Sequence, residues 1–151
     1  MQAIKNFQNS QQINFSNVIT DVNQGLIVDI WNGQECDRED IYCVADYTLR
    51  NINQHCLRYW MIDITQIESG PLDVLTATSD YLSQRLDGLT LEKFAFISRQ
   101  PNNSSRQTLC TLFEDYEIEV ETFATTAMAL QWLLVPRFED KDWDLLSVKD
   151  F

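Results

Sequence analysis

The stretch that most constrains the fold is LRYWMIDITQIESGPLDVL, at residues 57–75. It opens with an apolar run typical of a strand buried on both faces, and a short loop then leads to a helix that begins at a proline. Similar pairs of strand and helix lie on both sides of it along the chain. This alternation predicts a parallel α/β sheet, in which function usually resides at the carboxyl ends of the strands.

Hydrophobic periodicity predicts the element order ββαβαβαβα within one domain. Two apolar runs, residues 13–19 and 26–31, are separated by DVNQG, and Gly25 can take the positive φ that a hairpin turn favours. Asp37 predicts the N-cap of a helix that continues to about Gln54. The other predicted elements are a strand at 58–64, a helix at 71–86, a strand at 93–97, a helix capped by Ser104, a strand at 118–123, and a helix at 126–134 capped by Thr125.

We therefore expect an α/β fold with a mostly parallel central sheet of about five strands. The N-terminal β-hairpin adds an antiparallel edge, and four helices lie on the two faces. Residues 1–12 are rich in Gln and Asn and predict a polar arm, and residues 13–135 form the domain. Residues 136–151 form an acidic C-terminal tail, either a docked amphipathic turn or a flexible segment, with Trp143, Leu145, Leu146 and Phe151 among its acids.

The composition argues against several classes of function. The 23 acidic and 11 basic residues give a net charge of −12, which repels nucleic acid and anionic membrane surfaces. No apolar run approaches the roughly 20 residues of a membrane span, and the first residues lack the apolar core of a signal peptide. Four irregularly spaced cysteines without a CxxC pair predict reduced thiols. We expect a cytoplasmic protein of bacterial type.

Groups able to perform catalysis are scarce. His55 is the only histidine, so a Ser-His-Asp or Cys-His hydrolase would have no other base. His55 and Cys56 are zinc-ligand types, but the ligands needed for a complete site do not accompany them, and we favour a structural role at a helix end. Glycine-rich phosphate loops do not occur. The sequence predicts no enzyme activity, no cofactor and no metal site.

Three segments carry a resemblance to a known family: GLIVDIWNG at 25–33, MIDITQIESG at 61–70 and FATTAMALQWL at 123–133. The last is similar to the Phe-x(5)-Ala-x-x-Trp-Leu ending of SpoIIAA-like proteins, a STAS-related group that shares its shape with lipid-binding CRAL-TRIO domains. The resemblance covers most of residues 15–135. It implies a small α/β domain, typically without enzyme activity, that acts in regulation or protein contact.

The resemblance also implies a candidate modification site. STAS domains of the anti-anti-sigma type carry a phosphorylatable serine where the helix after the central strand begins, and Ser69 with Gly70 is the nearest match. The usual Asp-Ser-Ser-Gly is replaced by Glu68, Ser69 and Gly70. A phosphate there would meet the positive end of a helix dipole, while Glu68 and Asp73 would oppose it. We favour the alternative, in which Ser69 only caps the helix.

Two sets of side chains predict surfaces for protein contact. Glu117, Glu119 and Glu121 alternate with apolar residues, which indicates a half-exposed edge strand. Their charges either discourage pairing with a strand of another molecule or dock a basic partner. Tyr42 and Tyr47, on the first helix, are candidate contacts for a homodimer or an unidentified protein partner, because tyrosine contributes strongly at interfaces.

These observations favour a non-enzymatic regulatory or protein-interaction domain. Two alternatives stay open. One is a carrier of a small apolar ligand, after the CRAL-TRIO-like shape, and the other is a phospho-switch at Ser69.

Overall fold

The computed structural model describes residues 2–68, 71–100 and 103–135, of which residues 71–73 and 103 are described by their backbone alone. These ranges contain six strands and four α-helices, and none of the helices has the length and apolar character needed to cross a membrane. The strands are β1 (Gln2–Gln8), β2 (Asn14–Asp21), β3 (Leu26–Trp31), β4 (Tyr59–Asp63), β5 (Lys93–Ile97) and β6 (Glu119–Phe123). The helices are α1 (Arg38–His55), α2 (Pro71–Leu82), α3 (Asn103–Phe113) and α4 (Thr126–Leu134).

The strands form one mixed sheet in the order β1-β2-β3-β4-β5-β6. The first two pairings are antiparallel and the three from β3 to β6 are parallel. The helices α1, α2 and α3 each connect two neighbouring parallel strands by a crossover of the same, right-handed sense. They therefore lie on the same face of the sheet. The last helix, α4, lies on the other face. The predicted α/β class, with helices on both faces, is confirmed.

The structure differs from the sequence analysis at the N-terminus. The residues expected as a polar arm form β1, which pairs with β2 from Gln2 opposite Asp21 to Gln8 opposite Asn14. The sheet therefore has six strands where about five were expected. The first five residues of β1 are exposed, so the strand does not show the alternation of apolar and polar residues that predicts a half-buried strand. Its position depends instead on backbone hydrogen bonds to β2.

Local capping chemistry places α1 as predicted. Asp37 is the N-cap: its side chain accepts from the Asp40 N–H at 2.8 Å, while the Asp40 carboxylate accepts from the Asp37 N–H at 3.0 Å. This reciprocal pair satisfies two N–H groups that the helix leaves unpaired. Gly25 ends the hairpin turn with φ +66°, also as predicted.

Two other boundaries differ. The helix expected at residues 71–86 ends at Leu82, although Leu86 is still buried, so the apolar stripe continues beyond the helix. The third helix begins at Asn103, which places Ser104 inside the first turn rather than at the predicted N-cap. In both places the apolar pattern identifies the buried side chains correctly, but burial does not require helical backbone.

The main core lies between the sheet and α1–α3. Its centre is a run of aromatic rings, in which Phe94 lies 4.9 Å from Trp60 and 5.2 Å from Phe113 between ring centroids. A smaller cluster lies under α4, where Ala95 of β5 and Ala129 are fully buried. Their small side chains allow the helix to approach the sheet closely.

Candidate functional site

The carboxyl ends of β3–β6 form the edge where ligands usually bind in sheets of this type. Ile30, Asp63, Ile97 and Phe123 lie side by side in the last paired row, and Asp63 is its one carboxylate. The residues that follow the four strands include a polar set: Asn32, Thr65, Ser98 and Thr125.

Asp63 is held from two sides. Its Oδ1 accepts from the N–H of Thr65 at 2.9 Å and from the Thr65 hydroxyl at 2.7 Å, and the Thr126 hydroxyl donates to Oδ2 at 3.4 Å. These bonds tie the end of β4 to the first turn of α4, whose N-cap is Thr125 as predicted. The carboxylate therefore positions the loop and the helix start. His55 lies at the C-terminal end of α1, which the topology places at the opposite edge of the sheet.

Gly33 positions the loop that follows β4. It has φ +88°, and a Cβ added there would lie 2.7 Å from the carbonyl oxygen of Gln66. Glycine meets both requirements, because it adopts a positive φ without steric cost and lets another backbone approach closely.

We expect Gly33→Ala to lower the free energy of unfolding by roughly 1–3 kcal/mol, because it adds a backbone clash to the strain of positive φ. Urea unfolding followed by circular dichroism measures the change. Gly88→Ala is the matched control, since Gly88 has φ +82° but no atom within 4 Å of an added Cβ. That control reports the strain alone, roughly 1–2 kcal/mol. Equal losses in the two variants would show that the contact with Gln66 contributes nothing.

Ser69 and Gly70 lie outside the described residues, so the phospho-switch at this position stays a prediction. The described part of the loop ends at Glu68, which is exposed, and α2 begins at Pro71 as the sequence predicts.

Tyr42 and Tyr47 are half-buried on α1 and take part in packing within the chain. The Tyr42 ring centroid lies 5.4 Å from that of Tyr81 on α2, and the Arg38 guanidinium lies 5.7 Å from the Tyr42 centroid. Tyr47 meets Phe7 of β1 edge-on at 5.5 Å. These ring contacts pack α1 against α2 and β1. A role of Tyr42 and Tyr47 in contact with another protein stays a prediction.

The predicted edge position of the acidic strand is confirmed, since β6 is the last strand of the sheet. Glu117 precedes the strand, while Glu119 and Glu121 lie within it opposite Lys93 and Ala95 of β5. Glu121 also accepts a hydrogen bond of 3.0 Å from Arg106 of α3. An open cleft of about 450 Å³ beside this strand is lined by Glu92, Tyr116, Glu117, Ile118 and Glu119.

The described residues contain no group of three or more His, Cys, Asp or Glu side chains placed to hold a metal ion. Cys56, beside His55, is exposed and takes a left-handed conformation with φ +52° at the C-cap of α1. Its N–H donates to the carbonyl oxygen of Ile52, which closes the last turn of the helix.

Sequence reasoning missed a buried polar group in β3. Asp29 is 2% exposed, on the face that packs against α1. The Thr48 hydroxyl of α1 donates to its Oδ1 at 2.9 Å, and the indole N–H of Trp60 in β4 donates to its Oδ2 at 3.1 Å. The run LIVDIW contained a signal, because a strand that is apolar on both sides of an aspartate tends to bury that aspartate together with its neighbours.

Burial raises the pKa of Asp29, and the hydrogen bonds from Thr48 and Trp60 lower it. The effect of burial is larger, so the pKa rises from 3.8 to about 7. Transfer of a charged carboxylate into an apolar interior is unfavourable, and two donors compensate for it only in part. Asp29 is therefore a proton-binding group near neutral pH that joins β3, β4 and α1.

Comparison with protein-family models, with curated proteins and with solved structures finds no match to this chain.

Proposed function

We propose that this protein is a non-enzymatic protein-interaction domain that docks an extended segment of its partner along the outer edge of β1. The observation that supports the proposal is the position of β1 at the end of the sheet, where β2 is its one strand partner among the described residues. The other side of such a strand directs N–H and C=O groups outward. Edges of this kind bind a strand of a second chain through main-chain hydrogen bonds.

The distribution of charge favours this edge. The first twenty residues contain no acidic residue, although the chain has 23, and Lys5 is the single charged side chain of β1. The opposite edge carries Glu119 and Glu121, whose charges discourage strand addition. A second chain therefore meets the least electrostatic repulsion at β1, and a neutral or acidic segment fits best beside Lys5.

The other features of the molecule favour contact over chemistry. At the carboxyl edge of the sheet, Asp63 is engaged by Thr65 and Thr126. In the main core, the rings of Trp60 and Phe94 pack edge to face at 4.9 Å, so side chains fill the space between the sheet and the helices there. Both observations support a protein that binds through its surface.

Proline substitutions in β1 test the proposal. Successive residues of an antiparallel strand direct their N–H groups alternately towards the paired strand and away from it. Of Ile4→Pro and Lys5→Pro, one variant removes an N–H bonded to β2 and destabilises the fold by about 1–3 kcal/mol. The other removes an outward N–H, so we expect nearly unchanged stability but about tenfold weaker binding.

Urea unfolding identifies which variant removes the outward N–H. Light scattering then measures self-association, and capture on the immobilised protein measures binding of other chains. The two prolines are adjacent and differ in the direction of the lost N–H, and Lys5→Ala separates the loss of the Lys5 charge from the loss of an N–H. A protein that stays monomeric and captures nothing contradicts the proposal, as does binding that neither proline weakens.

A further inference from the structure

The hydrogen bonds of β2 show which main-chain groups of β1 point away from the sheet. The Asn32 N–H donates to the Phe15 carbonyl oxygen at 3.1 Å, so Phe15 directs its main-chain groups towards β3. Successive residues of a strand direct these groups to opposite sides, so Ser16 directs its groups towards β1, where its partner is Phe7. The Phe7 carbonyl oxygen also accepts from Asn14 Nδ2 of β2 at 3.0 Å. The main-chain groups of Phe7 therefore face β2.

The outward groups of β1 follow by alternation. Gln2, Ile4 and Asn6 direct their N–H and C=O groups away from β2. Residues 2–6 are all exposed. At 64%, Ile4 is the most exposed of the large apolar side chains in the part of the chain that the structure describes. The outer edge of β1 thus combines a row of outward hydrogen-bonding groups with an isoleucine in contact with water.

We propose that β1 pairs with β1 of a second copy of this chain, antiparallel and about a two-fold axis that passes between the two Ile4 residues. This inference names the partner at the edge identified under the proposed function, and it rests on that function. A two-fold axis makes an interface self-complementary, because each contact occurs twice. The outward N–H and C=O groups of the two strands then bond to each other, and the two sheets become one continuous sheet.

The side chains of β1 select the register of this pairing. In a two-fold antiparallel pair, the residue on the axis lies opposite its own counterpart. An axis at Lys5 would place two ammonium groups opposite each other, which destabilises the pair. An axis at Asn6 would place Ile4 opposite Gln8 and leave the isoleucine beside an amide. An axis at Ile4 places the two isoleucines together and Lys5 opposite Ala3, so exposed apolar surface of both copies leaves water.

The distribution of charge permits this contact, although each copy has a net charge of −12. Glu119 and Glu121 lie on β6 at the other end of the sheet, roughly 24 Å from β1 across five strand spacings. That separation exceeds the Debye length of about 8 Å at physiological ionic strength. Asp21, in β2 beside the start of β1, is buried and accepts a hydrogen bond from the Gln24 side chain. A second β1 is itself the nearly neutral, extended segment that this edge favours.

Sedimentation equilibrium of the full-length chain at a series of concentrations measures dimerisation. Ile4→Asp places two carboxylates opposite each other on the axis, so we expect the dissociation constant of the dimer to rise about tenfold or more. Met128→Asp adds the same charge to a side chain that is 54% exposed on α4. This control should leave the dissociation constant within about twofold of the wild-type value. Circular dichroism checks that both variants fold.

Single cysteines locate the axis independently. Ile4→Cys, Lys5→Cys and Asn6→Cys each place a thiol at one candidate axis position. Counterparts on the axis have Cα atoms about 5.5 Å apart, which a disulfide can bridge, whereas counterparts one residue from it lie roughly 8 Å apart, which is too far. After mild oxidation, peptide mass spectrometry should show the linked peptide for Ile4→Cys and at most about a tenth as much for the other two. The oxidised wild type gives the background from the native cysteines.

Each outcome decides the proposal. A dimer that Ile4→Asp weakens and Met128→Asp does not, with the disulfide formed at residue 4, would support it. A dimer that Ile4→Asp leaves intact, or one linked at residue 5 or 6 instead, would overturn it. A protein that stays monomeric but captures another chain at β1 would overturn this inference and leave the proposed function standing. A protein that stays monomeric and captures nothing contradicts both.

Discussion

Between about pH 4 and pH 7, we expect the free energy of unfolding to fall by roughly 3–4 kcal/mol through the titration of Asp29 alone. Burial raises the pKa of this carboxyl from 3.8 to about 7. In the interval between these values the folded protein keeps a proton that the unfolded chain has released. Stability therefore decreases by about 1.4 kcal/mol for each pH unit as the pH rises. Below this interval both states hold the proton, and the contribution to stability is fully present.

Asp29→Asn removes the titrating group, and the asparagine side chain is uncharged and has nearly the same size and shape as the protonated acid. The amide oxygen can accept from Trp60, and the amide nitrogen can donate to the Thr48 hydroxyl, which then donates elsewhere. We expect the variant to match the wild type near pH 4 and to exceed its unfolding free energy by about 2–4 kcal/mol at pH 8. Urea unfolding at a series of pH values, followed by circular dichroism, measures both quantities.

Asp21→Asn is the control with the opposite sign. A hydrogen bond from the Gln24 side chain lowers the pKa of Asp21 below its usual value of 3.8. Its contribution to stability is therefore present above about pH 4 and is lost as the pH falls through the lowered pKa. Asp21→Asn should reduce stability at neutral pH and leave the slope between pH 4 and 7 unchanged. If Asp29→Asn kept the wild-type slope, another group would have to be responsible.

Phe94→Ala should lower the free energy of unfolding by about 3–5 kcal/mol, which is a large part of the 5–15 kcal/mol typical of a domain. Phe94 is 1% exposed and lies between Trp60 and Phe113 in the main core. Truncation loses both ring contacts and leaves a cavity that the surrounding sheet and helices can close only in part. Urea unfolding at pH 5 measures the loss under conditions in which Asp29 is still protonated.

Two further variants show whether the loss of unfolding free energy in Phe94→Ala depends on the central position of Phe94 in the core. Phe94→Leu keeps most of the volume and loses the aromatic contacts, so we expect a loss of about 1–2 kcal/mol. Phe123→Ala removes a half-buried ring on the opposite face, 5.5 Å from Trp132, and should cost less than Phe94→Ala. Equal losses for Phe94→Ala and Phe123→Ala would contradict the assignment of Phe94 to the centre of the core.

The elements that sequence analysis placed correctly are those determined by local chemistry. The apolar run KFAFI forms β5 over Lys93–Ile97 as predicted, because all five side chains are buried. The N-caps Asp37 and Thr125 mark helix starts, since each side chain bonds an N–H three residues along the chain. Gly25 marks the turn, since it takes a positive φ. Each of these signals involves neighbouring residues, so a short window of sequence contains it.

The tertiary structure decided the features that join distant residues. Only the pairing with β2 makes QAIKNFQ a strand, because its own side chains supply no apolar period. Asp29 meets Thr48 and Trp60 from 19 and 31 residues away, and Asp63 meets Thr126 across 63. Backbone hydrogen bonding and burial depend on which strands become neighbours, and a linear pattern does not contain that information. The amino-acid sequence by itself determined the local elements and the acidic charge, whereas the position of β1 at the end of the sheet and the buried proton-binding group at Asp29 exist only after the sheet has assembled.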